Sequence, residues 1–183
     1  MSEVLRLTLV SHAMTDATAA GRFPTDESLN ATGRQQIEAD TELGSVGQAF
    51  CGPETRTRLT AELLGARAVI EPKLSDLDFG RWRGDVLDRL LPAELASWLT
   101  DPTCAPHGGE SVVELIDRVA GWMDSLSSQH GRILAVTHPA VVRAAILVVL
   151  DAPPKSFWRI DIAPLSRTVM HFRGRAWTLR SSS

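Results

Sequence analysis

Two histidines and one arginine have the side-chain types and the sequence positions to bind a phosphoryl group. His12, Arg56 and His138 each follow, within five residues, the carboxyl end of an apolar segment that we predict to be a strand. Because the carboxyl ends of parallel strands meet at one edge of a sheet, we expect these side chains to lie close together. An imidazole can act as nucleophile, while the guanidinium and the amino-terminal ends of helices hold phosphate oxygens. Considered alone, His12 has an equally simple alternative as a hydrogen-bonded loop histidine.

Strands alternate with helices along most of the chain. The predicted strands are Val4–Val10, Val46–Cys51, Arg67–Ile70 and Ile133–Thr137, followed by three short ones at Phe157–Ile162, Thr168–Phe172 and Ala176–Leu179. The predicted helices are Thr32–Leu43, Glu54–Leu64, a helix between Asp85 and Leu99, Glu110–Leu126 and Pro139–Val149. This alternation predicts an α/β fold of three layers, α/β/α, with a mostly parallel central sheet.

The length of 183 residues favours one domain over residues 1–183. Residues 72–109 interrupt the alternation with three internal prolines, several glycines and two tryptophans. We interpret this segment as a lid or cap over the sheet, since long excursions in compact α/β domains are commonly functional. Within it, His107 has Pro and Gly neighbours and is expected to face solvent.

The net charge of −3 and the isoelectric point near 5.9 argue against a nucleic-acid partner or an anionic membrane. Cys51 and Cys104 have neither metal-site nor disulfide spacing. Four residues separate Cys51 from Arg56, whereas the phosphate loop of cysteine phosphatases has five, so that loop is not expected here. The first residues lack the basic segment of a signal peptide, and their apolar run is too short for a membrane span. We therefore expect a cytoplasmic protein; its oligomeric state is not indicated.

Five short motifs follow one another along residues 4 to about 150. They read Val-Ser-His-Ala at 10–13, Gly-Pro-Glu-Thr-Arg-Thr-Arg-Leu-Thr-Ala at 52–61, Asp-Leu-Asp-Phe-Gly-Arg-Trp-Arg-Gly at 76–84, Gly-Gly-Glu-Ser at 108–111 and Val-Thr-His-Pro-Ala-Val-Val-Arg at 136–143. Their order and composition resemble those of the histidine phosphatases, also called the phosphoglycerate mutase-like superfamily. A single motif would be weak support, but five in order indicate the fold strongly.

The resemblance implies a role for each matching residue. His12 would be the phosphohistidine nucleophile, Arg56 and His138 would bind the phosphoryl group, and Asp76 would protonate the leaving oxygen. The ligand would be a small phosphorylated metabolite or phosphate, and neither a metal nor an organic cofactor is implied.

The departures from the family pattern lie at the predicted chemistry. Ser11 and Ala13 replace the Arg and Gly of the Arg-His-Gly motif, and Pro139 replaces a glycine. Ser11 therefore lies in the phosphate site without the charge of the usual arginine. Loss of one transition-state donor costs about 2.7–4 kcal/mol, or roughly 10²–10³ in rate. Arg22 is either a compensating cation or a solvated loop residue.

Glu110 and Ser111 have two interpretations. They belong to the Gly-Gly-Glu-Ser motif, which places them with substrate binding, but a serine followed by a helix is also a typical amino-terminal cap. The sequence as a whole predicts a phosphatase, with two alternatives: an impaired homologue that binds an anion without turnover, and a phosphoglycerate mutase-type phosphotransferase. The substrate itself is not indicated.

Overall fold

The central layer is a sheet built from β1 (Leu5–Ser11), β2 (Gln48–Cys51), β3 (Val69–Ile70), β4 (Gly131–Thr137), β5 (Arg167–Arg173) and β6 (Ala176–Arg180). In residues 4–39 and 43–181, which the computed structural model describes, the sheet has six strands in the order β3-β2-β4-β1-β5-β6. The four strands β3, β2, β4 and β1 are parallel, and β5 and β6 continue the sheet antiparallel. β4 therefore pairs on one side with β1 and on the other with β2.

Helices cover both faces of this sheet. They are α1 (Asp16–Ala19), α2 (Ala31–Ala39), α3 (Thr55–Leu63), α4 (Pro92–Thr100), α5 (Val112–Ser125) and α6 (Pro139–Leu150). Alternate residues of β4 enter different apolar clusters: Ile133 and Ala135 pack in the cluster that contains α5 and α6, whereas Leu134 and Val136 pack in the one that contains Ala61 of α3. A strand whose side chains are buried on both faces is typical of parallel sheets, so the fold is the three-layer α/β/α architecture that the sequence predicts.

α5 is the helix whose sequence is most fully explained by its surroundings. Ser111 caps its amino terminus in a reciprocal capping box with Glu114. Its apolar residues, spaced by three and four, face the core and are buried: Val112, Leu115, Val119, Trp122 and Leu126.

One of the predicted elements is wrong, and another forms over only part of its predicted range. The predicted strand Phe157–Ile162 is instead part of a 3₁₀ helix, Pro154–Arg159, in which Phe157 is fully buried. The single helix predicted between Asp85 and Leu99 is divided, because a 3₁₀ turn at Leu87–Arg89 precedes α4, which begins at Pro92. The helix predicted at Thr32–Leu43 corresponds to α2, which is described up to Ala39. Residues 40–42, near its predicted end, lie outside the described residues.

The excursion at 72–109 is held by a close backbone crossing. A Cβ on Gly80 would lie 2.1 Å from the carbonyl oxygen of His107, and one on Gly109 would lie 2.0 Å from that of Asp78. Gly80 also has a φ of +49°, a conformation that favours glycine. Only glycine at both positions allows the backbone segments around residues 78–80 and 107–109 to approach so closely.

His107 is buried, so the expectation that it faces solvent is wrong. Its ring lies 5.0 Å from Trp82 between centroids, and its Nδ1 accepts a hydrogen bond from the amide of Gly109 at 3.0 Å. The ring belongs to an aromatic cluster that also includes Phe79 and Trp98. Among the helices of the described residues, none is both long enough and apolar enough to cross a membrane.

Candidate active site

His12 follows β1 directly, and its amide donates to the carbonyl of Thr137 at 2.9 Å. The ring is buried, and its Nδ1 donates to the carbonyl oxygen of Ala13 at 2.8 Å. Since a carbonyl oxygen only accepts, this bond fixes the proton on Nδ1 and leaves the lone pair on Nε2. Burial and the charge of His138 lower the pKa of His12 to about 3. The ring is therefore neutral near pH 7, as a nucleophilic imidazole must be.

Arg56 lies in the first turn of α3 and is 1% exposed. Its Nη1 donates to the carbonyl of Thr25 at 2.8 Å, and its Nη2 donates to Asp76 Oδ2 at 2.7 Å. One turn later, Thr60 donates to the carbonyl of Arg56 at 2.7 Å and accepts from the amide of Ala13 at 3.1 Å. Thr60 thereby fixes the loop after β1 to the helix that carries the guanidinium.

His138 precedes α6 and is fully buried. Its ring centroid lies 5.3 Å from that of His12. Its Nδ1 lies 3.4 Å from Asp76 Oδ2, the same oxygen that accepts from Arg56. The structure therefore brings His12, Arg56, Asp76 and His138 together at the edge where β1, β2 and β4 end.

Asp76 is an ionised carboxylate in this arrangement. Burial raises its pKa, but the charges of His138 and Arg56 outweigh that effect and hold the pKa of Asp76 below its ordinary value. Its second oxygen accepts from the amide of Leu77 at 2.8 Å, which fixes the rotamer. A carboxylate becomes a proton donor only when its pKa rises, so a role for Asp76 as acid depends on what an anion does to Arg56 and His138.

Glu54 is a fifth residue at this centre, and the sequence analysis did not single it out. Its Oε2 lies 2.8 Å from His138 Nε2, and its Oε1 accepts from the amide of Asp76 at 2.9 Å. Burial raises its pKa, but the hydrogen bond and charge of His138 outweigh this and lower the pKa of Glu54 to about 2. A Cβ on Gly52 would lie 2.9 Å from Glu54 Oε2 and 3.1 Å from His138 Nε2, so glycine at this position leaves room for the contact between the two side chains.

Ser11 is fully buried, and its Oγ has no hydrogen-bond partner within the described residues. Arg22 and Arg58 are the two arginines to be considered as replacements for the missing one. Neither donates a hydrogen bond to Ser11 Oγ. Arg22 is exposed, forms a β-bridge with Val86, and lines a cavity next to His12. Arg58 is exposed and donates to Thr55 Oγ1 at 3.4 Å.

The hydrogen bonds of Glu110 and Ser111 favour a structural role over the predicted substrate binding. Ser111 is the cap of α5, and the carboxylate of Glu110 binds both Nε and Nη2 of Arg118 at 2.8 Å. Neither residue lines the cavity that contains His12. In the structure the two residues organise the start of α5, and their role in substrate binding stays a prediction.

Arg118 is a further residue that sequence reasoning missed. Its guanidinium donates to three backbone carbonyls, those of Lys73 at 2.7 Å, Ser75 at 3.0 Å and Asp76 at 3.3 Å. Glu110 holds that guanidinium in place, so α5 positions the backbone that carries Asp76. No periodic pattern reveals such a contact, because its partners are backbone atoms distant in sequence.

A cavity of about 560 Å³ adjoins His12 and Asp76. Its walls are mainly apolar and come from the loop after β1, from the excursion, from α6 and from the 3₁₀ helix Pro154–Arg159. In the described parts of the chain no group of three or more His, Cys, Asp or Glu side chains has the arrangement of a metal site. The Cys51 thiol is buried, and burial raises its pKa.

Comparison with known proteins gives a consistent result. The profile of the histidine phosphatase superfamily (branch 1) matches residues 7–183. Phosphoserine phosphatase 1 of Hydrogenobacter thermophilus is 24% identical over 187 residues, covering 94% of this chain and 89% of the relative. Glucosyl-3-phosphoglycerate phosphatase of Mycolicibacterium vanbaalenii is 28% identical over 171 residues, covering 82% and 76%. The structure of a phosphoserine phosphatase from Entamoeba histolytica with 3-phosphoglyceric acid superposes with a TM-score of 0.87 at 22% identity, over 97% of this chain and 95% of the other, and shows a shared fold. With nearly its whole length matched, the chain belongs to branch 1 of the histidine phosphatase superfamily.

Proposed function

We propose that this chain is a phosphatase of small phosphorylated metabolites that works through a phosphohistidine at His12. The observation that carries the proposal is the state of the His12 ring: it is neutral, its proton is on Nδ1, and its centroid lies 5.3 Å from that of His138. The family and the two relatives named above indicate a hydrolase of phosphate esters.

In the first step Nε2 of His12 attacks the phosphorus and the bond to the ester oxygen breaks. Arg56 and His138 hold the non-bridging oxygens, and Asp76 gives its proton to the leaving oxygen. An anion bound to Arg56 competes with Asp76 for the guanidinium, which removes one cause of the lowered pKa of Asp76 and favours its protonated form. In the second step water attacks the phosphorus, the N–P bond breaks, phosphate leaves, and Asp76 receives the proton.

Hydrolysis of 4-nitrophenyl phosphate tests this proposal. The wild-type chain should release nitrophenol and should carry label after a rapid quench with a radiolabelled phosphoester, whereas His12→Ala should do neither. His130→Ala is the matched control, because His130 is exposed and outside the site. Unchanged turnover in His12→Ala would exclude His12 as nucleophile.

The alternative function is an impaired homologue that binds an anion with little turnover. The observation in its favour is the charge balance: the carboxylates of Glu54 and Asp76 lie at the centre with Arg56, while Ser11 is uncharged where the Arg-His-Gly motif has its arginine. A phosphate dianion in a buried site needs compensating positive charge.

Ser11→Arg distinguishes the two functions. If the missing guanidinium limits catalysis, kcat/KM for 4-nitrophenyl phosphate should rise, by up to about 10²–10³. Ser11→Met is the control, since it adds length without charge. An increase confined to the arginine variant supports a weak enzyme; no increase, with both variants folded, indicates that another group already fills this role.

A further inference from the structure

We infer that the preferred substrate is a phosphomonoester whose alcohol carries an aromatic ring and no positive charge. The inference rests on the proposed function, because it places the ester group at His12 and the alcohol in the adjoining cavity. The cavity of about 560 Å³ lies within the range of ordinary small-molecule sites and shares His12 and Asp76 with the catalytic centre. Because this cavity borders both His12 and Asp76, it can receive the alcohol of an ester that His12 attacks and Asp76 protonates.

The walls of the cavity are the first argument. Thirteen of its lining residues are apolar, and five of these are aromatic. Phe79 and Trp158 are partly exposed, whereas Phe23, Trp98 and Phe157 are buried behind them. Aromatic rings surround an aromatic guest favourably, both through buried area and through tilted and edge-on contacts. The aliphatic residues among the others, such as Leu95 and Ile162, extend the apolar surface between the rings.

The polar groups of the cavity are the second argument. Apart from His12 and Asp76, they are Thr18, Arg22 and Arg143. Asp76 is the sole carboxylate among these lining residues, and it already pairs with Arg56 and His138. An ammonium group on the alcohol, as in phosphoserine, would therefore be desolvated beside two arginines without a partner of opposite charge.

The rigidity of one wall is the third argument. Arg143 Nε donates to the carbonyl of Ile160 at 2.7 Å, and its guanidinium carbon lies 5.7 Å from the Phe157 ring and 5.8 Å from the Trp158 ring. Trp158 also packs on Trp98 with centroids 4.4 Å apart. The aromatic wall is thus formed in advance, which lowers the cost of ordering it around a ligand.

The test compares esters of primary alcohols with similar leaving groups: 2-phenylethyl, n-propyl and 2-aminoethyl phosphate. We expect kcat/KM to be at least tenfold higher for the phenylethyl ester than for the propyl ester, and lowest for the aminoethyl ester. Equal values, or a preference for the aminoethyl ester, would overturn the inference.

The matching phosphonates separate this inference from the proposed function, because they bind without being hydrolysed. Tighter binding of 2-phenylethylphosphonate than of propylphosphonate, with no ester hydrolysed, would leave the pocket assignment intact and reject the phosphatase. Hydrolysis of all three esters, without tighter binding of 2-phenylethylphosphonate, would support the phosphatase and reject the pocket assignment. Failure of both measurements would reject both proposals.

Two substitutions locate the preference in the cavity. Trp158→Leu should reduce the phenylethyl-to-propyl ratio severalfold, whereas Trp177→Leu, on β6 and outside the cavity lining, should not. Leu99→Glu places a carboxylate on a lining residue that is 47% exposed, so it should raise kcat/KM for the aminoethyl ester relative to the propyl ester. A ratio unmoved by both Trp158→Leu and Leu99→Glu would mean that the alcohol binds elsewhere.

Discussion

The side chain of Glu54 accepts a hydrogen bond from His138 through one oxygen and from the amide of Asp76 through the other. It therefore orients the imidazole that we assign to phosphoryl binding and also places a negative charge next to it. These two effects oppose each other in catalysis. Orientation supports the reaction, whereas the charge weakens the attraction of the site for an anion.

Glu54→Gln removes the charge but keeps one oxygen that can accept from His138. Its NH2 group cannot accept from the amide of Asp76, so that hydrogen bond is lost. We expect inorganic phosphate to inhibit the variant more strongly, with an inhibition constant lower on the order of tenfold. The measurement is competition with 4-nitrophenyl phosphate near pH 7. Glu62→Gln, an exposed carboxylate on the same helix, is the control and should leave the constant unchanged. An unchanged or higher constant in Glu54→Gln would mean that this carboxylate does not face the anion.

Much of the site could be predicted from single residues, and part of it could not. His12, Arg56 and His138 follow strands, so the direction of the chain alone indicates that they share one edge. Glu54 and Arg118 were not predicted, because their partners lie far away in the sequence. The partner of Glu54 is the ring of His138, and Arg118 donates to backbone carbonyls such as that of Lys73. Their roles depend on the crossing of loops, which no local pattern encodes.

At the scale of elements, the excursion at 72–109 depends on the crossing of two backbones at Gly80 and Gly109. A methyl group on Gly109 would lie 2.0 Å from the carbonyl oxygen of Asp78, so one backbone must move. Because residues 76–78 carry the proposed acid, such a movement would reach the site as well as the rest of the excursion.

Gly109→Ala should therefore lower the free energy of unfolding by about 1–3 kcal/mol or more, and it should lower kcat beyond what the unfolded fraction explains. Gly121→Ala is a matched control within α5, where a Cβ would meet nothing within 4 Å. That substitution should be stabilising by roughly 0.5–1 kcal/mol. Urea unfolding and steady-state kinetics on the two variants make the comparison; equal stability of both would contradict the crossing as described.

The elements that were predicted well are those with strong periodicity and clear ends. α5 combines an apolar stripe with a capping serine, and β4 is a continuous apolar run that stops at His138. The prediction of a strand at Phe157–Ile162 is wrong, because the first of these apolar residues belong to a 3₁₀ helix. Phe157 fills the core and Trp158 lines the cavity, while Pro154 starts a 3₁₀ turn.

For the whole molecule, the buried neutral ring of His12 makes stability depend on pH. Its pKa is about 3 in the folded chain, whereas an unfolded histidine has an ordinary pKa near 6.5. Between these values the unfolded chain binds the proton and the folded chain does not, so acid favours unfolding. The lowered pKa of Glu54, about 2, acts in the same direction as the pH falls through about 4.5 and below.

We expect the free energy of unfolding to fall as the pH drops from 6.5 towards 4, with His12 contributing up to about 1.4 kcal/mol per pH unit. His12→Asn should remove that part of the slope while other groups, such as the buried His107, keep theirs. His130→Asn, at an exposed position, should leave the slope as it is. Urea titrations at several pH values give the slopes, and identical slopes for wild type and His12→Asn would contradict the buried neutral ring.

The strand order also determines when the site can exist during synthesis and refolding. β4 is made after β1, β2 and β3, yet it lies between β1 and β2 and supplies their common partner. A nascent chain that stops before residue 131 has His12 and Arg56 but no strand to hold them at one edge. Contacts so distant in sequence form late and together, so recovery of turnover after denaturation should report completion of the sheet rather than the earlier growth of helices.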